Sequence, residues 1–360
     1  MRVVKIKEAG KGNTFEIRVQ TTLEAIINEN KNKQIVKLDV TVNSVHSKNF
    51  TDEYDYVQET IKKVFKNKVP AYSILFSPIC DDSEFTMQYQ IYDMDVKIQY
   101  KTLLKHPYVT AESENGIEIF SGGISFQEDS LLFSAQRCFD LSEQILMAED
   151  MNFGHIHQQW NYIPTPHPNT DTPVEAQDGL QLFNEVQNFY YEPPLFVNGK
   201  PLARNRYNYN ATLLIDFIAF AVNNDVVTTK EIPKAAMDWV NDHPGLNSKQ
   251  VVDGKNELWF TSSPGNKLAA DNEAIGKSNK DIEQQTLQSL KSIVSLKDSS
   301  HTHLHTKGEF SYLKVTVDQR EDYTKVEELI KSSLPGINVF FVNGISHQSD
   351  VLVELEGLII

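Results

Sequence analysis

The chain closes on DVLVELEGLII, residues 350 to 360, and period-two alternation there puts Val351, Val353 and Leu355 on one strand face and Leu352, Glu354 and Glu356 on the other. A carboxylate on such a strand is a candidate general acid if its face lines a cleft, because partial burial lets a carboxyl group hold a proton near neutral pH. Glu354 and Glu356 are the two carboxylates this strand offers; the competing reading is a solvated sheet face. A second group is cationic. PLARNRYNYN (201 to 210) sets Arg204 and Arg206 on one face of a strand, either to clamp a substrate carboxylate bidentately or to protect an exposed edge.

Two histidine clusters invite a metal reading. HTHLH would align His301, His303 and His305 on one face of a strand, a geometry suited to zinc or nickel, but its place after KDSS reads as a solvated loop. No metal and no other cofactor is therefore assigned. HIH aims His155 and His157 to one side of the strand leading into Trp160, as wall packing or as catalytic groups.

Composition narrows the rest. A formal charge of −15 disfavours nucleic acid, and the densest basic stretch, KKVFKNK (62 to 68), reads as one helix end with its cations near the negative pole of the dipole. MRVVKIKEAGKGN has no apolar signal region, and the apolar run ATLLIDFIAFAV is short and carries Asp216, so no membrane partner is expected. The two cysteines, Cys80 and Cys138, fall in a strand end and a helix and offer neither a disulfide framework nor a thiolate site, which fits a reducing cytoplasm. At 360 residues the chain exceeds the size of a single core.

The elements that position these residues recur three times. QIVKLDVTVNS (strand), DEYDYVQETIKKVF (helix), Pro70, AYSILFSPI and FTMQYQIYD (strands) are matched by FSYLKVTVDQ, EDYTKVEELIKSSL, Pro335, INVFFVNGI and DVLVELEGLII. LDVTV answers LKVTV, and Asp55 and Tyr56 answer Asp322 and Tyr323. A helix precedes each series, with Gln20 and Leu23, Gln136 and Phe139, or Gln284 and Leu287 three residues apart. The middle copy runs through FGHIHQQWNYIP, DGLQLFNEVQNFYY, LARNRYNYN and LLIDFIAFAV, after a hairpin at IEIFSGGISFQ. Domains at 1–105, 106–230 and 231–360 follow, each an α+β unit of mixed sheet with helices on one face. PTPHPNTDTPVEAQDG (164 to 179) is either a lid or a surface loop.

The element order, the glutamine-bearing first helix, the proline before the penultimate strand and the VELEG ending resemble the RidA/YjgF superfamily (endoribonuclease L-PSP-like proteins with a chorismate mutase-like fold). The resemblance implies an intramolecular pseudo-trimer with ligand clefts between repeats, monomeric or weakly self-associating, that takes a small carboxylated metabolite. Glu354 matches the family's functional glutamate, with Gln88 and Asp216 near that position in the other copies. The imine-deaminating members also need an arginine, kept only as Arg204, while Val339, Tyr72 and Ser73 stand near it elsewhere. Length and the WNY core of QQWNYIP resemble the chorismatases, in which the glutamate protonates the enol-ether methylene and water captures the oxocarbenium ion; the resemblance implies Glu354 as the catalytic acid and Trp160, Tyr162 and His347, with Arg204 and Arg206, as substrate-binding residues. Gln158 and Gln159 stand where an arginine is usual, and FTSSPGN (260 to 266) only approximates the glycine-rich segment. A chorismatase-type hydrolase, a non-catalytic metabolite or partner binder and an imine deaminase are the three functions this resemblance leaves open.

Overall fold

The computed structural model describes residues 3–9, 12–81, 83–114, 116–164, 175–192, 195, 201–208, 212–222, 246–251, 257–262, 281–298, 309–344 and 351–360. Three mixed sheets share one plan. In the first, strands β1 (Val3–Glu8), β2 (Lys33–Asn43), β3 (Ala71–Ser77) and β4 (Phe85–Asp93) lie in the order β1-β4-β2-β3. In the second, β5 (Lys97–Leu103), β6 (His106–Ser113), β7 (Gly116–Ile124), β8 (Ile156–Pro164), β9 (Leu202–Asn208) and β10 (Leu214–Val222) lie in the order β5-β6-β7-β10-β8-β9. In the third, β11 (Leu246–Val251), β12 (Glu257–Ser262), β13 (Phe310–Val317), β14 (Val339–Asn343) and β15 (Val353–Ile359) lie in the order β11-β12-β15-β13-β14. Each sheet holds a last strand antiparallel to a central one, which pairs in parallel with a third.

A parallel pair needs a crossover, and a helix supplies it each time. These are α2 (Phe50–Phe65), α4 (Glu175–Tyr190) and α6 (Tyr323–Ser333), against which α1 (Phe15–Glu29), α3 (Leu131–Met147) and α5 (Ile282–Asp298) pack. In the first two sheets, side chains on one face meet the helices. In the first sheet Leu38, Val40, Phe85 and Met87 join Val19, Leu23 and Ile61, and in the second Ile215 and Phe217 join Phe139 and Phe183. The opposite face carries Lys37, Asp39 and Ser73, a choice forced by the two-residue period.

Some details depart from the sequence reading. Leu23 and Phe139 are buried as the shared helix pattern implies, but Leu287 is exposed, and α5 turns Thr286, Ser289, Leu290 and Ile293 inward instead. IEIFSGGISFQ forms one strand, β7, whose hairpin partner β6 precedes it. His155 sits in a 3₁₀ turn ahead of β8, where its Nδ1 accepts from Asn152 N at 3.1 Å, while His157 is buried on the strand, so the two do not share a side. The chain divides into two compact units, 1–226 holding the first two sheets and 227–360 holding the third.

Candidate functional site

In the second unit the two carboxylates of β15 occupy different surroundings. Glu354 is partly buried and lies opposite Thr316 of β13, whereas Glu356 is buried and lies opposite Lys314. Backbone bonds Asn43 N to Glu84 O (2.7 Å) and Asp318 N to Leu352 O (2.9 Å) close the equivalent ladder ends of the first and third sheets. Counted from those ends, Glu356 opposite Lys314 matches Gln88 opposite Asp39, and Glu354 matches Thr86, so the Gln88 position corresponds to Glu356 and not, as the sequence comparison of the copies expects, to Glu354. Gln285 of α5 accepts from Leu352 N at 2.8 Å and fixes the approach to β15.

In the first unit the helix-free faces of the two sheets meet on a buried polar cluster. Asp216 of β10, 1% exposed, accepts from Ser73 Oγ at 2.6 and 2.7 Å, from Gly123 N at 2.6 Å and from Lys37 Nζ at 3.2 Å. Lys37 also donates to Asp39 at 2.7 Å and stands 5.8 Å above the Trp160 ring. Burial works against its charge, but Asp216 and Asp39 outweigh it and hold its pKa above the usual lysine value. Glycine lets β7 come this close. A Cβ on Gly122 would lie 2.7 Å from Ser73 Oγ and 2.9 Å from Lys37 Nζ, and Gly123 adopts φ +67° with the Tyr72 carbonyl 2.5 Å from where its Cβ would be.

Beside the cluster lies a cavity of about 530 Å³, walled by Tyr54 and Gln58 of α2, Tyr72 of β3, His106 of β6, Gly123 and Ser125. His106 is driven down to about 4 by burial, which Asp216 opposes and Lys37 reinforces, so its ring is neutral at neutral pH. Burial pushes the phenols of Tyr54 and Tyr72 up, and both stay protonated.

The remaining candidates are dispersed. Trp160 and Tyr162 are buried on the face of β8 that carries the cluster, and Arg204 and Arg206 stand opposite them in register on β9, with Arg206 partly buried. Gln158 and Gln159 are buried, and Gln159 Nε2 donates to Asn161 Oδ1 at 2.7 Å. His157 Nε2 stands 3.5 Å from Glu118 Oε1, which makes it wall packing between β8 and β7. His347, His301, His303 and His305 lie outside the described residues, as do residues 165–174 of the long connection and 263–266 of FTSSPGN. Among the described residues no group of three His, Cys, Asp or Glu is placed to hold a metal, and no helix is long and apolar enough to cross a membrane.

The sequence reading missed Lys37, Asp39, Ser73 and His106. Its available signal was opposite charges two residues apart on a strand, which must share a face opposite the apolar Leu38 and Val40. SGGIS (121 to 125), rather than FTSSPGN, is the glycine-rich segment whose position is described, and it abuts the cluster.

No protein-family model and no curated protein sequence matches the chain. Solved structures do. A chorismatase aligns over 100% of this chain and 98% of its own at 13% identity and a TM-score of 0.56. A cyanuric acid hydrolase aligns over 100% and 99% at 9% identity and a TM-score of 0.46. A YjgF-family protein from Neisseria meningitidis aligns over 36% of this chain and 98% of its own at 13% identity and a TM-score of 0.27. With its three mixed sheets built on one strand order, the chain has a chorismatase-like α+β fold.

Proposed function

We propose that the chain is a chorismatase-type hydrolase acting on chorismate or a related small carboxylated metabolite, with Glu354 as proton donor. The observation that carries this reading is the contrast on β15. Glu356 is buried across from a lysine, whereas Glu354 is only partly buried and lies across from a threonine. The whole-length likeness to a chorismatase supports the same reaction class. In that chemistry the carboxyl proton goes to the terminal methylene carbon of the enol ether. Water adds to the resulting oxocarbenium ion, and the hemiketal collapses to pyruvate and the ring alcohol.

Incubation with chorismate, following its absorbance and the release of pyruvate, tests the proposal. Equimolar loss and release support it. Saturable binding without pyruvate would favour a non-catalytic metabolite binder, a reading supported by Asp216, whose internal partners leave it a structural rather than a reactive carboxylate.

A further inference from the structure

We propose that the cavity in the first unit is a binding site for an uncharged, hydroxylated aromatic ring, a phenol-type ligand, and that it rejects carboxylates. Its donors for an anion are already committed. Ser73 Oγ, Gly123 N and the Lys37 ammonium form a cradle fit for a carboxylate, and Asp216 fills it from within the chain. Lys37 and Asp216 are both 1% exposed and paired, and Asp39 also binds Lys37, so two carboxylates face one ammonium and the cluster offers the cavity beside it no spare positive charge for an anion.

What faces the cavity is polar and neutral. The Tyr54 and Tyr72 hydroxyls are held protonated and share Gln58 as a hydrogen-bond partner, and His106 is a neutral imidazole with Nε2 3.4 Å from Ser121 Oγ. Phe50 and Phe126 add aromatic wall. The charged lining residues, Asp55, Lys62 and Lys105, are exposed at the mouth, where water screens them and the aspartate offsets a lysine. A volume of about 530 Å³ accepts a substituted ring with room for ordered water.

The mouth itself is built under strain. Leu104 and Lys105 join β5 to β6 with φ of 48° and 68°, a left-handed pair without glycine, and Leu104 is left 69% exposed beside the opening. Strain of this kind persists where surrounding structure over-determines it, and it gathers at ligand sites. Burying a carboxylate among neutral partners is expensive, whereas a phenol or alcohol exchanges its water for the imidazole, the serine and the amide.

Calorimetric titration of the full-length protein with 4-hydroxybenzyl alcohol and, separately, 4-hydroxybenzoate tests this. The alcohol is expected to bind at least roughly tenfold more tightly than the benzoate. Tyr72→Phe and His106→Ala are each expected to weaken the alcohol by about fivefold or more, the scale of one hydrogen bond. Gln58→Ala, on a helix surface, serves if either variant fails to fold. Equal or tighter binding of the benzoate, no binding of either probe at millimolar concentration, or unchanged affinity in the folded variants overturns the proposal. Pyruvate release from chorismate is measured independently, so the two proposals fail separately.

Discussion

Asp216 and Glu354 are both strand carboxylates, and their surroundings differ. Asp216 is bound to a cation and two neutral donors, so its charge is part of the fold. Breaking a buried ion pair strands the partner, and Asp216→Asn is expected to lower unfolding free energy by about 3 kcal/mol, read by denaturant titration. Glu354→Gln is expected to leave stability and ligand affinity near those of the parent while pyruvate release disappears, because the amide keeps the shape and lacks the transferable proton. Substantial remaining turnover would remove Glu354 as the acid. His106 adds a pH limit. Its folded pKa, about 4, lies below the ordinary 6.5, so the stability linked to its neutral form is complete above pH 6.5 and is lost as pH falls towards 4. Thermal melts across that range are expected to show a loss of up to about 3 kcal/mol that His106→Gln removes.

Among the elements, β7 is the one whose sequence and position are most tightly coupled. Gly123→Ala must adopt φ +67° with its Cβ 2.5 Å from the Tyr72 carbonyl, so a loss of about 1–3 kcal/mol is expected in chemical denaturation. Much of this level was legible in the sequence. FTMQYQIYD is β4 residue for residue, and the helices and strands around LDVTV and LKVTV lie where their periodicity puts them. The β5–β6 hairpin was not legible, because the apolar side of KIQYKTL is only Ile98 and Tyr100 and its turn, Leu104–Lys105, lacks the asparagine and glycine that mark such hairpins. The Gln-to-Leu spacing in α5 misled for a different reason: a three-residue match does not fix which face of a helix is turned inward. At the site, Lys37 and Ser73 escaped notice because their role depends on Asp216, which no local pattern connects to them.

For the whole molecule, three sheets of one plan within a single chain equal the number that a trimer of one-sheet subunits would supply. The expected state in dilute solution is therefore one chain. Light scattering that finds an obligate homotrimer as the only folded form would contradict this. The Lys37–Asp216 pair also bears on synthesis, since its members lie 179 residues apart in the chain. At about 5–20 residues per second, the ribosome completes the first sheet, which ends at Asp93, roughly 6–25 s before Asp216 emerges. Through that interval the nascent first repeat holds a lysine that no second repeat yet covers, on the face that later receives β7 and β10. Its charge keeps that face wet until Asp216 arrives, and so guards an incomplete chain against sticking to its neighbours on the same message.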